Sequence, residues 1–403
     1  MKLDTIPDEF TKAERVLREI QAQGFEAYFV GGSVRDALLN QPIHDVDIAT
    51  SAYPEEIKEI FHRTVDVGID HGTVLVLIGE EQYEITTFRT ESTYQDFRRP
   101  DTVTFVRSLK EDLKRRDFTI NALAMNVDGE IIDLFDGIND LEHQIIRAVG
   151  NPRERFHEDA LRMMRGLRFA SQLDFSIEPE TLSAIEDFHS LLDKISVERI
   201  AVEFIKLLLG KNRRAALRPF IETECYQYCP ELRGKGAMLF DFAELPNKQI
   251  ESESQAWALL IKTIGLKENA IRSFLKSWKQ SNQMIYEVQQ LVYGLNQRLL
   301  GDWEVIDLFN LGLDAVLSVE KLLFYYEQKS KLEEAKERYL SLPIHNRKEL
   351  AITGNDVLAY FDKTPGKWVG EMIEMIETAV VNRQIINNKK VLLAFAKDMI
   401  DKE

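Results

Sequence analysis

The sequence predicts an α+β fold, with a mixed sheet and its helices in residues 1–150 and an all-α region from there to residue 403. Three observations predict it. Up to about residue 150, short stretches alternate apolar and polar residues, the period of a half-buried strand, and runs of helical period lie between them. From about residue 152 the alternation disappears, and segments such as ERIAVEFIKLLLG and KWVGEMIEMIETAVV place apolar residues at helical spacing. Between the two regimes stands Gly150-Asn151-Pro152, a turn-forming boundary.

The elements follow in order. Residues 9–23 read as the first helix and EAYFVGG as the first strand, which leads into a helix over 33–39. HDVDIAT is the second strand. Pro54 opens a helix over 54–62, because its fixed φ and missing N–H suit a first helical position. GTVLVLIG and QYEITTF are further strands, and NALAMNVDGEIIDLF is a hairpin turning at Asp128-Gly129. In the helical half, softer points near 210–214, 328–333 and 345–355 suggest subdivisions.

Composition narrows the function classes. A hydrophobic fraction of 44% and a charged fraction of 29% are those of a soluble globular protein. No run approaches the ~18 apolar residues of a membrane span, and MKLDTIPDEFTKAERVL lacks the apolar core of a secretory leader. Cys225 and Cys229 have no histidine nearby to complete a zinc site, so reduced thiols and a cytoplasmic location are expected. The net charge of −16 argues against a surface that grips nucleic acid everywhere. Basic residues nevertheless cluster locally, seven between 98 and 116 and six between 147 and 168.

The stretch YFVGGSVRDALLNQPIHDVDIA suggests anion and metal chemistry. Gly31 and Gly32, lacking side chains, let backbone N–H groups approach an anion at the start of a helix, where Ser33 and Arg35 add donors. Read alone, the glycine pair is simply a tight turn. No GxxxxGK[ST] run is present, which excludes a P-loop NTPase. Asp45 and Asp47, two apart in a strand, face one side and suit Mg²⁺, a hard ion that takes oxygen ligands. Glu84 in YEITTF has the same apolar-acid-apolar setting and is the expected third catalytic acid. Such clusters serve phosphoryl transfer by activating a hydroxyl and stabilising a leaving pyrophosphate.

VGGSVRDALL, HDVDIAT, YEITTFRTESTYQDFRRPDTVTFV, DLKRRDFTINALAMN, DLFDGINDLEHQIIRAVGNP and RFHEDALRMMRGLRFA together resemble class II tRNA nucleotidyltransferases, the bacterial CCA-adding enzymes. The resemblance covers roughly residues 25–205 and returns in LAITGNDVLAYFDKTPGKWVGEMIEMIE. It implies a polymerase-β-like catalytic head over 1–150, a neck over 151–212, a body over 213–330 and a tail over 331–403. It implies template-independent addition of C, C and A to tRNA 3′ ends from CTP and ATP, with Mg²⁺ held by Asp45 and Asp47. The helical domains would hold the tRNA acceptor and T arms. Arg116 and Asp117 correspond to the family's nucleotide contacts, with Asp117 on the ribose and Asn121 beside it. Segment 89–107, with Asp96, Arg98 and Arg99, matches the family's loop for the C-to-A switch. The rival readings are a poly(A) polymerase, a partial enzyme adding only CC or only A, and a non-catalytic RNA-binding protein. Oligomeric state is not legible.

The neck motif also has a reading in base chemistry alone. Asp159 and Arg162, three apart on a predicted helix, project from one face. A carboxylate accepts and a guanidinium donates, which matches the amino group and ring nitrogen shared by cytosine and adenine. Guanine and uracil present the reverse order, and each unpaired buried polar group costs about 1–3 kcal/mol. In isolation the pair is an ordinary surface ion pair. Glu158 is expected to orient an arginine, with Arg165 one candidate. Arg165 and Arg168 suit either tRNA or triphosphate.

Overall fold

The computed structural model describes residues 1–403 apart from Asp4, 69–71, 92–93, 96–98, 101–102 and 402–403. The chain divides into two compact units, Met1–Ile250 with Ser277–Lys279, and Glu251–Lys276 with Gln280–Glu403.

The first unit begins with α1 (Asp8–Ala22), which buries Phe10, Ala13, Val16, Leu17 and Ile20 along one helical face. There follow β1 (Ala27–Val30), α2 (Gly32–Leu38), β2 (Asp47–Thr50), α3 (Pro54–Ile60), β3 (Thr64–Gly68), β4 (Thr73–Ile78) and β5 (Glu81–Thr87). Short antiparallel pairs join β6 (Arg89–Glu91) to β9 (Val103–Phe105) and β7 (Tyr94–Gln95) to β8 (Arg99–Pro100). Then come α4 (Leu109–Lys114), the hairpin β10 (Leu123–Met125) and β11 (Ile131–Asp133), α5 (Gly137–Glu142) and β12 (Ile145–Ile146).

Seven strands form one sheet in the order β11-β10-β1-β2-β5-β4-β3. It is mixed: β2 and β5 run parallel, and the other neighbours are antiparallel. Strand alternation sends Ile48 and Ile85 into one apolar layer with α1, and Val30 and Ala49 into a second layer with Leu109 and Leu113 of α4. β3 is absent from the sequence reading. It lies at the sheet edge with Val65 and Val67 exposed, so burial gives it no clear apolar signal.

The rest of the first unit is helical: α6 (Pro152–Glu158), α7 (Leu161–Leu173), α8 (Pro179–Phe188), α9 (Val197–Leu208), α10 (Arg213–Glu222) and α11 (Gly236–Glu244). A two-residue strand, β13 (Ser176–Ile177), pairs with β12 and is a small exception to the expected all-α region. Nine helices make the described part of the second unit, from α12 (Glu253–Thr263), α13 (Glu268–Ser277) and α14 (Asn282–Leu300) through α15 (Val305–Leu311) and α16 (Leu313–Leu322). They continue as α17 (Leu332–Leu340), α18 (Gly354–Phe361), α19 (Lys367–Val381) and α20 (Lys389–Ile400). Within it the fully buried Glu320 accepts from Arg298 Nε at 2.7 Å and Trp303 Nε1 at 2.8 Å, a polar pin that ties three segments together.

Candidate active site

A cleft of about 890 Å³ opens in the first unit where the sheet meets α7 and α9. β1 ends at Val30, and Gly31 turns the chain with φ +73°, a conformation glycine adopts without strain. A Cβ there would lie 2.9 Å from Arg116 Nη1, so the bare backbone is what admits the guanidinium. Gly32 lines the cleft beside it. Ser33 does not: its hydroxyl is buried and donates to Val30 O at 3.1 Å, so the expected anion donor instead closes the turn. Arg35 lines the cleft and donates to Asn121 Oδ1 at 2.6 Å and to Asp36.

Asp47 is the first residue of β2, and Asp45 lies before the strand rather than on it as the alternation predicts. Glu84 is Asp47's neighbour on β5, because Ile48 pairs with Ile85 in parallel register. The Asp47 carboxyl sits at the open mouth of the cleft and its pKa is pushed up. The protein around it, which limits its hydration, is the largest cause; Arg116 opposes, and the charges of Glu84 and Asp45 push further upward. Among the described residues no group of three or more His, Cys, Asp or Glu is placed to hold a metal. Glu84 therefore borders the aspartates without closing a three-carboxylate set. Two carboxylates and an excess of negative charge still fit a hard divalent cation, which takes its remaining ligands from water and substrate phosphate.

Arg116, Asp117 and Asn121 sit on the turn between α4 and β10. Asn121 links the turn together, since its amide nitrogen donates to Asp117 Oδ1 at 3.2 Å while its side-chain oxygen accepts from Arg35. Asp112, almost fully buried on α4, accepts from Arg115 Nη2 at 2.8 Å and Arg116 Nη2 at 3.2 Å. Asp117 Oδ2 accepts from Arg165 Nε at 2.7 Å. Burial is the largest single influence on Asp117 and pushes its pKa up. Arg165, Asn121 and Arg162 together outweigh it and hold the carboxyl far below the usual range.

The segment that follows residue 150 departs from the sequence reading in two respects. The helix through HEDALRMMRGLRFA is broken: α6 ends at Glu158, Asp159 is extended at φ −132° and ψ 104°, and α7 starts at Leu161. Asp159 is thus not on a helix face. Its Oδ1 accepts from Leu161 N–H at 3.0 Å and its Oδ2 from Arg199 Nη2 of α9 at 3.0 Å. Arg162 is buried and donates to Glu158 Oε2 at 2.6 Å and to Arg115 O at 2.9 Å. Carboxylate and guanidinium are therefore each fixed by another partner, with both lining the cleft. Glu158 orients Arg162 and Arg155, not Arg165.

Arg168 pairs with the buried Glu203 of α9 at 2.9 Å and lies over the Phe169 ring at 4.1 Å. Arg199, Glu203, Asp112 and Phe169 are missing from the sequence reading. The available signal was Glu203, which falls on the apolar face of this helix where a charge implies a partner, with Arg199 four residues before it. Of segment 89–107, Asp96 and Arg98 lie outside the described residues. Arg107 is bound bidentately by Glu56, at 2.9 and 2.8 Å, and covers Tyr53. Cys225 and Cys229 are buried free thiols, Cys225 pushed up to about 12 by burial. Among the described residues no helix is long and apolar enough to cross a membrane.

A mixed sheet carrying Asp47 at the mouth of an arginine-lined cleft, followed by helical segments, defines a polymerase-β-like nucleotidyltransferase. Residues 27–147 match the family model for a poly A polymerase head domain, 174–234 one for a probable RNA and SrmB-binding site of polymerase A, and 248–396 one for a putative tRNA nucleotidyltransferase domain 2. The chain is 69% identical to a CCA-adding enzyme of Enterococcus faecalis over 98% of both chains, and 50% identical to that of Ligilactobacillus salivarius over the full length of both. The crystal structure of the Bacillus stearothermophilus CCA-adding enzyme in complex with CTP superposes with a TM-score of 0.92, at 41% identity, covering 98% of this chain and 99% of that one. The chain belongs to the CCA-adding enzymes. Nucleotidyl transfer of this kind generally uses a divalent metal ion.

Proposed function

We propose that the chain adds C, C and A in turn to the 3′ end of tRNA, using CTP and ATP without a template and releasing pyrophosphate. Family membership supports the reaction. The observation that carries its selectivity is the pair Asp159 and Arg162, each locked by another side chain in a cleft shared with Asp47. A locked acceptor and a locked donor match the edge common to cytosine and adenine and oppose that of guanine and uracil. The pair thereby takes the place of a template base.

Gly32, Arg35 and Arg116 would receive the phosphates, with Arg165 and Arg168 adding positive charge; the Gly31 N–H, expected from the sequence to face the anion, is taken by Leu123 O at 3.1 Å, so Gly31 serves by leaving the turn without a side chain. Asp117, kept ionised, accepts from the ribose 2′-hydroxyl, and Asn121 holds it in place. Asp45 and Asp47 would hold a divalent cation, assigned as Mg²⁺, which when bound neutralises phosphate charge and lowers the pKa of the attacking hydroxyl; Glu84 adds negative charge beside them. The acceptor 3′-hydroxyl attacks the α-phosphate in line with the departing pyrophosphate. The head, neck, body and tail over 1–150, 151–212, 213–330 and 331–403 divide the work. The helical parts hold the acceptor and T arms through shape and backbone contacts. Reduced thiols at Cys225 and Cys229 support a cytoplasmic setting.

The test is extension of a tRNA lacking its CCA, with both nucleotides and Mg²⁺. The expected product gains C, C and A and stops. Products ending at CC would redirect the assignment to a partial enzyme. A growing A tail would favour a poly(A) polymerase, the reading supported by the match of the head to that family's model.

A further inference from the structure

The cleft continues past Asp47. On the sheet face that carries Asp47, strand register extends the surface to Glu84 and Thr86 of β5 and then to Thr73 of β4. Thr73 and Thr86 are cross-strand partners whose hydroxyl oxygens lie 3.0 Å apart, and both line the cleft. Two hydroxyls bonded to each other use one of their two protons. The other proton and the spare lone pairs remain for a ligand.

The groups read above as binding the incoming nucleotide lie on the opposite side of β2. Gly31 follows β1, and Asn121 adjoins β10, whose Leu123 accepts from Gly31 N–H at 3.1 Å. In-line displacement places the entering hydroxyl and the leaving pyrophosphate on opposite sides of the α-phosphate. With the nucleotide on the β1 side of Asp47, the acceptor comes from the β5–β4 side. A ribonucleotide 3′ end presents two adjacent hydroxyls, each donor and acceptor, and a hydroxyl pair beside a carboxylate complements them.

We propose that Thr73 and Thr86 form a subsite for the terminal ribose of the RNA acceptor, binding its 2′-hydroxyl and so aiming the neighbouring 3′-hydroxyl at the reaction centre. The proposal rests on the nucleotidyl-transfer reading. Its test compares acceptor tRNAs whose last nucleotide carries ribose or 2′-deoxyribose. Thr73→Val/Thr86→Val keeps the β-branched shape and strand preference while removing both hydroxyls. The wild type is expected to show a KM about three- to tenfold higher for the deoxy acceptor. The double valine variant is expected to show that raised KM for both acceptors, with the KM for CTP unmoved, and Thr73→Ser/Thr86→Ser to keep the wild-type contrast. A valine variant that still discriminates, or whose KM for CTP rises as much as that for tRNA, overturns the subsite. A wild type that extends both acceptors equally overturns the subsite alone, whereas a wild type that extends no tRNA overturns the transfer reading and the subsite with it.

Discussion

Arg199 Nη2 lies 3.0 Å from Asp159 Oδ2, so a residue of α9 holds the carboxylate that stands in the break between α6 and α7. An extended residue between two helices has no helix face to aim it, and the guanidinium together with Leu161 N–H does so instead. On the proposed base-reading role of Asp159, Arg199 would act as its positioning residue. Arg199→Met, which keeps the apolar stem, is expected to reduce the preference for CTP over UTP about three- to tenfold, the worth of one hydrogen bond. The ratio of kcat/KM for the two nucleotides checks it. An overall loss of activity with the ratio intact would mean that Arg199 supports the fold only.

Asp47→Asn is expected to separate function from stability. The pKa of this carboxyl is raised in the folded chain, chiefly by limited hydration and then by Glu84 and Asp45 against the pull of Arg116. Above both its unfolded and its raised folded pKa, a group of this sign destabilises the native state, because the unfolded chain ionises it more easily. Removing the charge is expected to raise the melting temperature of metal-free protein by about 1–2 °C at neutral pH while abolishing incorporation. Mg²⁺ is expected to raise the wild-type melting temperature and leave the variant's unchanged. A variant that melts lower than wild type without metal would show that the acids are not in electrostatic conflict.

The head was legible because its strands alternate and its glycines sit where φ turns positive, as at Gly31. The change to helices near residue 150 was legible for the same reason, a change of period. What escaped was tertiary. The break at Asp159 leaves no mark in a run that reads as one helix, since it is stabilised by Arg199, forty residues away. Ser33 looked like a free donor because a sequence does not show that its hydroxyl is used by Val30 O. Thr73 and Thr86 read only as strand residues, because their meeting depends on the β4–β5 register.

Acid is expected to loosen the first unit through Asp117 and Asp112. Burial alone would raise both pKa values, but the arginines beside them more than compensate, and both lie below the ordinary aspartate range in the folded chain. A lowered folded pKa contributes stability above the unfolded value, near 3.8, and loses it as pH falls through the depressed one. Asp117→Asn is expected to cost about 1–3 kcal/mol at pH 7, solvent at the half-open Arg165 moderating the loss. The gap to wild type should close as pH falls from about 5 toward 2. Denaturant unfolding across that range checks it; a gap that stays constant would mean that the carboxylate charge is not what stabilises the turn.

Two glycine-to-alanine changes are expected to move stability in opposite directions for readable reasons. A Cβ on Gly137, in the first turn of α5, would stand 2.3 Å from Thr119 O, a backbone atom in the turn that carries Asn121. Thr119 is further fixed by donating its hydroxyl to the buried Asp140 at 2.6 Å, so the turn has little room to yield. Gly137→Ala is expected to cost about 1–3 kcal/mol and, by displacing Asn121 and Asp117, to raise the KM for CTP. Gly370 lies within α19, exposed, and a Cβ there meets nothing within 4 Å. Gly370→Ala is expected to stabilise the second unit by about 0.5–1 kcal/mol through reduced freedom of the unfolded chain, with nucleotide kinetics unchanged. Unfolding midpoints of the two variants, measured with their CTP kinetics, decide the matter. If Gly137→Ala matched wild type in both, the close contact of α5 with the Thr119 turn would not be what holds Asn121 in place.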